Sequence, residues 1–122
     1  MEPPLVGIDL VELGLLADRL ERNPELREAL FCSGETAYAQ AQRHPIQHLG
    51  ARFAAKEAVV KALGVRGWDP LEIEVVDGGE DVSLRLHGDI ERRAQELDVE
   101  VTISMTHLDS MAGAVAMARP RS

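Results

Sequence analysis

The chain has 122 residues, a hydrophobic fraction of 45% and one cysteine, which bounds it to a single globular domain and excludes a disulfide-framed fold. With 21 acidic residues against 13 Lys plus Arg, its formal net charge is −8. That argues against a nucleic-acid partner, because neutralising phosphates needs a basic surface. The unpaired Cys32, the lack of an apolar run of transmembrane length and an N-terminus without a basic-then-apolar pattern read as a cytoplasmic chain with no membrane partner.

Residues 5–13, LVGIDLVEL, alternate. Val6, Ile8 and Leu10 fall on one face, and Leu5, Gly7, Asp9 and Val11 on the other. A strand is expected there, and it sets Asp9 on a face that otherwise lacks charge. Leu16, Leu20, Leu26 and Leu30 mark helix over 15–30, with a break at Asn23-Pro24, since the residue before a proline is driven from helical dihedrals. Ser33 is placed to cap a short helix through Ala41, which His44-Pro45 ends. A long helix follows from Ile46 or Leu49 to Leu63, with Gly64 as its stop. On it Leu49, Phe53, Val60 and Leu63 form one apolar stripe. Lys56 lies within that stripe, where snorkelling, with its methylenes packed and its amine in water, is the ordinary explanation, and no role is assigned to it. Glu57 and Lys61 lie on the flank, one above the other at i, i+4 spacing.

Beyond a turn region from Gly64 to Pro70, residues 71–76 alternate as a strand. Asp77-Gly78-Gly79 is a hairpin signal, and 82–86 is the return strand. Residues 88–97 read as a short helix with Ile90, Ala94 and Leu97 on one side. Residues 99–105 alternate as a strand. Residues 111–118, apolar and small on both faces, read as a buried strand. The order gives an α+β class: an antiparallel sheet packed on one long helix plus short helices. It forms a single domain over 1–118, with 119–122 as a loose tail.

Charge beside a buried surface needs a reason, because an uncompensated one is costly. Asp9 and Glu57 are two carboxylates from different elements, each beside an apolar run. Magnesium takes one or two protein carboxylates and fills its octahedron with water and phosphate oxygens. Lys61, one turn from Glu57, would then stabilise charge on the phosphates. Each residue also has an ordinary explanation when taken singly. Asp9 fits a strand-end acid, Glu57 and Lys61 a solvated helical pair, and His107 a satisfied histidine at the edge of the core. His44, His48 and His87 show no partner pattern. Gly64 and Gly67 flank Arg66, and such a loop lets backbone amides approach a phosphate.

Three blocks, in order, resemble the holo-(acyl-carrier-protein) synthase family of 4′-phosphopantetheinyl transferases. GIDLVEL (Gly7 to Leu13) looks like its N-terminal motif. ARFAAKEAVVKALG (Ala51 to Gly64) looks like its signature helix, and ISMTHLDSMAGAVAMA (Ile103 to Ala118) like its C-terminal strand pair with the Ser-x-Ser/Thr-His motif. The resemblance implies the 4′-phosphopantetheinyl transferase fold and an enzyme that moves 4′-phosphopantetheine from coenzyme A to a serine of an acyl carrier protein, releasing adenosine 3′,5′-bisphosphate. By matching positions, Asp9 and Glu57 bind magnesium, and with Lys61 they form the catalytic set. Lys61 contacts the coenzyme diphosphate, Ser104 and His107 lie near the coenzyme, and Arg52 and Gly64 complete its binding set. Glu57, through a water, helps deprotonate the carrier serine. A homotrimer with sites between neighbouring subunits is also implied. The rival readings are a non-catalytic coenzyme A or carrier-binding module on the same fold, and a purely structural trimerisation domain.

The chain departs from the family pattern in places. Leu5 stands where the family usually has glycine, Gly14 where a basic residue often follows the first motif, and Val65-Arg66 where Thr-Gly is common. From Glu12 to Glu35 six acids face three arginines, a less favourable docking surface for an acidic carrier. Arg19 and Arg22 form one local basic patch.

Overall fold

Proline fixes its own φ and has no N–H to leave unsatisfied, so Pro45 begins a helix here as well as closing off the preceding loop. Helix α4 (Pro45–Leu63) runs from it to Gly64, which ends the helix in the left-handed region at φ 65° and ψ 40°. The computed structural model describes residues 5–78 and 81–121. Within it α4 is the central element. Leu49, Ala51, Ala54, Ala55, Ala58, Val59, Val60, Ala62 and Leu63 are all buried, so the single stripe expected from spacing is too narrow. The alanines are the reason: they admit neighbours on every side, yet carry too little bulk to register as an apolar face.

Against α4 lies a three-stranded antiparallel sheet in the order β1 (Val6–Glu12), β5 (Met111–Pro120), β4 (Val99–His107). Helices α1 (Leu13–Arg22), α2 (Leu26–Leu30) and α3 (Ser33–Gln40) connect β1 to α4, with the break at Asn23-Pro24 as expected. After α4, strands β2 (Ile73–Gly78) and β3 (Asp81–Leu86) form a separate antiparallel pair, and α5 (Gly88–Leu97) leads into β4. The hairpin turn expected to include Gly79 lies outside the described residues.

Gly7 sets the distance between β1 and α4. A Cβ there would lie 1.9 Å from the Ala58 carbonyl oxygen and 2.9 Å from the Ala62 nitrogen, so strand and helix backbones touch at that point. Leu5, just before it, has φ 66°, a conformation in which a side chain crowds its own backbone and glycine does not. That gives the departure at this position a physical meaning.

Several expectations need correction. Ser33 does not cap α3. The cap is Cys32, whose N–H donates to Glu35 Oε1 at 2.8 Å. The strand expected from residue 71 starts at Ile73, because Asp69 accepts the Leu71 N–H at 2.9 Å and holds Pro70–Glu72 in a 3-10 turn. Strand β5 is not buried on both faces, since Val115 and Met117 are exposed. It also runs to Pro120, with Arg119 paired to Glu100, two residues past the expected end of the strand at Ala118.

Candidate functional site

The close contact at Gly7 decides what happens two residues on. Side chains alternate along a strand, so Asp9 points to the same side of β1 as Gly7, toward α4. On α4 the residues at i, i+4 spacing that face this strand are Phe53, Glu57 and Lys61. Asp9, Phe53 and Glu57 line one cleft with Leu16 and Arg19 of α1, with a volume of about 200 Å³. Lys61 closes its edge. The Lys61 ammonium donates to Asp9 Oδ1 at 3.2 Å and to the Ile8 carbonyl at 3.0 Å, with its side chain 54% exposed.

Glu57 is the electrostatically loaded member. Partial burial pushes its carboxyl above the ordinary value and the negative charge of Asp9 pushes it further, while Lys61 pulls the other way. Two carboxylates on opposed elements, one holding its proton more tightly because of the other, form a site that gains by receiving a cation. Glu12 also borders the cleft, but among the described residues no three Asp, Glu, His or Cys side chains gather closely enough to hold a metal ion, which leaves two carboxylates to share one. That number suits magnesium, which takes the rest of its shell from water and phosphate oxygens.

The other expected site residues lie elsewhere on the chain. Arg52 is on another side of α4 and almost fully buried. Its guanidinium pairs with Asp77 at 2.5 Å, donates to the His48 carbonyl at 3.4 Å and stacks 4.5 Å from the centre of the Tyr38 ring. Its Nε has no partner among the described residues. His107, at the end of β4, is exposed, and its ring meets that of His48 edge-on at 5.8 Å. Burial, then the charges of Arg52 and His107, hold the His48 imidazole below its usual pKa. Ser104 pairs with Val115 on the face of the sheet turned away from α4. Gly64 is the left-handed C-terminal stop of α4, its N–H donating to the Lys61 carbonyl at 3.3 Å.

Sequence reasoning missed Tyr38, His48 and Asp77 as companions of Arg52, and no pattern within one element would have revealed them. It missed Arg19 as part of the acidic cleft. It also left Lys56 without a role, and the ordinary explanation fails, because Lys56 does not snorkel. Its ammonium is fully buried and pairs with Glu35 at 2.7 Å. A glutamate three residues after a helix cap was the available sign that Glu35 turns inward.

A model described as the 4′-phosphopantetheinyl transferase superfamily matches residues 5–116. The chain is 40% identical over 116 residues to a holo-[acyl-carrier-protein] synthase of Moorella thermoacetica, covering 91% of this chain and 90% of that one. It is 42% identical over 117 residues to the protein of that name from Streptomyces avermitilis, covering 93% and 94%. Among solved structures, the ACPS–CoA complex of Chronobacterium ammoniagenes superposes with a TM-score of 0.85 at 31% identity, over 97% of this chain and 98% of that one.

Proposed function

The chain belongs to the 4′-phosphopantetheinyl transferase superfamily, and from that premise we propose that it is a holo-acyl-carrier-protein synthase. It moves 4′-phosphopantetheine from coenzyme A to a serine of an acyl carrier protein. The observation that carries the chemistry is the meeting of Asp9, Glu57 and Lys61 across β1 and α4.

In this reading Asp9 and Glu57 hold a magnesium ion, which when bound neutralises charge on the coenzyme diphosphate and polarises its phosphoryl oxygen. Lys61 exchanges Asp9 for the diphosphate, a short move for a half-exposed side chain. Glu57, through a water, takes the proton from the carrier serine hydroxyl. The serine oxygen forms a bond to the phosphorus bearing pantetheine, the bond from that phosphorus to the bridging oxygen breaks, and adenosine 3′,5′-bisphosphate leaves with the bridging oxygen and its electron pair. Positioning and charge neutralisation do most of the catalysis in such a transfer. For Arg52 to serve the coenzyme, a phosphate must displace Asp77.

A homotrimer completes the site. On the sheet face turned away from α4, Val6, Ile8, Leu10, Val115 and Met117 are between 37% and 66% exposed, with Val6 beside Met117 and Ile8 beside Val115 in register. A contiguous apolar face of this kind marks an interface. Ser104 lies on it, apart from the cleft of its own chain, so burial between subunits would bring coenzyme-binding residues from neighbours together. No described helix is long and apolar enough to cross a membrane. Burial and the nearby Glu35 push the Cys32 thiol up to about 11, which keeps it protonated and weakly reactive. The catalytic unit is one domain, whose described part runs from Leu5 through β5 to Pro120.

The test is transfer itself. With coenzyme A, magnesium and a panel of apo carriers from fatty-acid, polyketide and peptide synthesis, one carrier serine should gain the mass of one phosphopantetheine. Tight coenzyme binding without transfer to any carrier would favour the non-catalytic module. Sedimentation equilibrium should give three chains per particle, and a monomer that still turns over would remove the shared site.

A further inference from the structure

Nothing in that reaction uses Lys56, yet no other lysine of the chain is so fully enclosed. Its ammonium has three N–H groups and three acceptors: Glu35 Oε1 at 2.7 Å, the Leu30 carbonyl at 2.8 Å and the Pro70 carbonyl at 2.9 Å. Glu35 is equally satisfied. Its Oε1 also takes the Cys32 N–H at 2.8 Å and its Oε2 the Val75 N–H at 2.9 Å. One ion pair therefore ties α4 to the end of α2, the start of α3, the 3-10 turn and β2.

Stability alone does not explain this arrangement. A buried ion pair is often no better than an apolar pair of the same volume, because desolvation offsets the attraction. What directional bonds add is orientation. Apolar contacts among the alanines of α4 tolerate sliding and rolling, whereas five hydrogen-bond distances from fixed points do not. The residue next to Lys56 is Glu57, about 100° further around the helix. A rotation of α4 by about 20° would swing a carboxylate at the side-chain radius of about 5–6 Å through about 2 Å. Misplacement by about 1 Å is enough to cost about 10²-fold in rate.

We propose that the buried Lys56–Glu35 pair is a positioning device that fixes the rotation of α4 and so presents Glu57 to Asp9. Gly7 fixes the separation of strand and helix, and Lys56 fixes the angle. The inference rests on the proposed reaction for its kinetic arm, but not for its binding arm.

The test uses the full chain with Lys56→Met, which keeps an unbranched stem of nearly the same length and removes the ammonium. Magnesium is titrated calorimetrically onto the protein alone. The kcat and the KM for coenzyme A are measured at a temperature where circular dichroism shows the variant folded. The same substitution is then made on Glu57→Gln. Magnesium affinity should fall by about tenfold or more, as it does when supporting contacts to metal ligands are lost. The kcat should fall by about 10²-fold with KM changed by less than about threefold, and adding Lys56→Met to Glu57→Gln should cost less than about threefold more. Parental magnesium affinity and kcat in folded Lys56→Met would overturn the proposal, as would an undiminished loss on top of Glu57→Gln. If Lys56→Met does not fold, Glu35→Gln, which keeps the shape and removes the charge, is judged by the same readings. A parent chain that binds magnesium but transfers nothing counts against the reaction, and the titration still decides this inference.

Discussion

Helix α4 carries two ammonium–carboxylate pairs five residues apart, and comparing them separates holding a structure from doing chemistry. Lys56 meets Glu35 at 2.7 Å with both side chains fully buried and nearly every polar valence used. Lys61 meets Asp9 at 3.2 Å in a cleft, with side chains 54% and 17% exposed. A sealed pair cannot exchange partners without unfolding its surroundings. An open pair next to a third charge, Glu57, has partners to give up. The same two functional groups are thus sealed on one side of the helix and open to exchange on the other.

If the comparison is right, removing Lys56 is the most damaging change to stability. Lys56→Ala leaves Glu35 buried without its counter-charge and should cost about 3–5 kcal/mol, read as a fall in the denaturation midpoint. A loss under about 1 kcal/mol would show that the pair holds little. Gly7→Ala tests the contact between the two regions. The new Cβ meets the α4 backbone at Ala58, so strand and helix must separate at a cost of about 1–3 kcal/mol, and magnesium affinity should drop with stability. An unchanged affinity would mean that Asp9 and Glu57 do not depend on this spacing.

On the open side the expected stability effects are small. Lys61→Met should change stability by less than about 0.5 kcal/mol, as for exposed pairs, while raising the KM for coenzyme A. A large loss of stability with normal kinetics would reverse the roles assigned to the two lysines. The gentlest test is pH. Burial and Asp9 raise the Glu57 carboxyl above its ordinary value, so between the unfolded and folded values the folded chain binds more proton. Its stability is then full below the ordinary carboxylate range and declines as pH rises through the raised value. Melting temperature against pH should show this decline in the metal-free parent, and Glu57→Gln or added magnesium should flatten it. A curve unchanged in both cases would remove the Asp9–Glu57 repulsion from the account.

The comparison also explains what the sequence could and could not disclose. The convergence of Asp9, Glu57 and Lys61 was legible because each sits in an element with a clear period, and the period aims them. The α+β class, the break at Asn23-Pro24, the span of α5 and the stop at Gly64 followed from equally local rules. Lys56 was not legible as a joint, because its partner Glu35 lies on another helix and only the fold brings them together. Arg52 was named without its partner Asp77 for the same reason. The single stripe on α4 failed because five alanines hide a helix buried on nearly every side behind the spacing of its few large residues. Leu5 reads as an ordinary strand residue until its φ of 66° shows why glycine suits that position.

The most direct test of the central claim compares parent and Glu57→Gln in one transfer reaction with coenzyme A, magnesium and an accepted apo carrier. Both proteins should melt within a few degrees of one another, since Glu57 borders the core without filling it. The parent should load one carrier serine, and the variant should be slower by about 10²–10³-fold, the scale of losing a group that acts on developing charge. Near-parental turnover by folded Glu57→Gln would contradict the account and place the reacting centre away from the edge shared by β1 and α4.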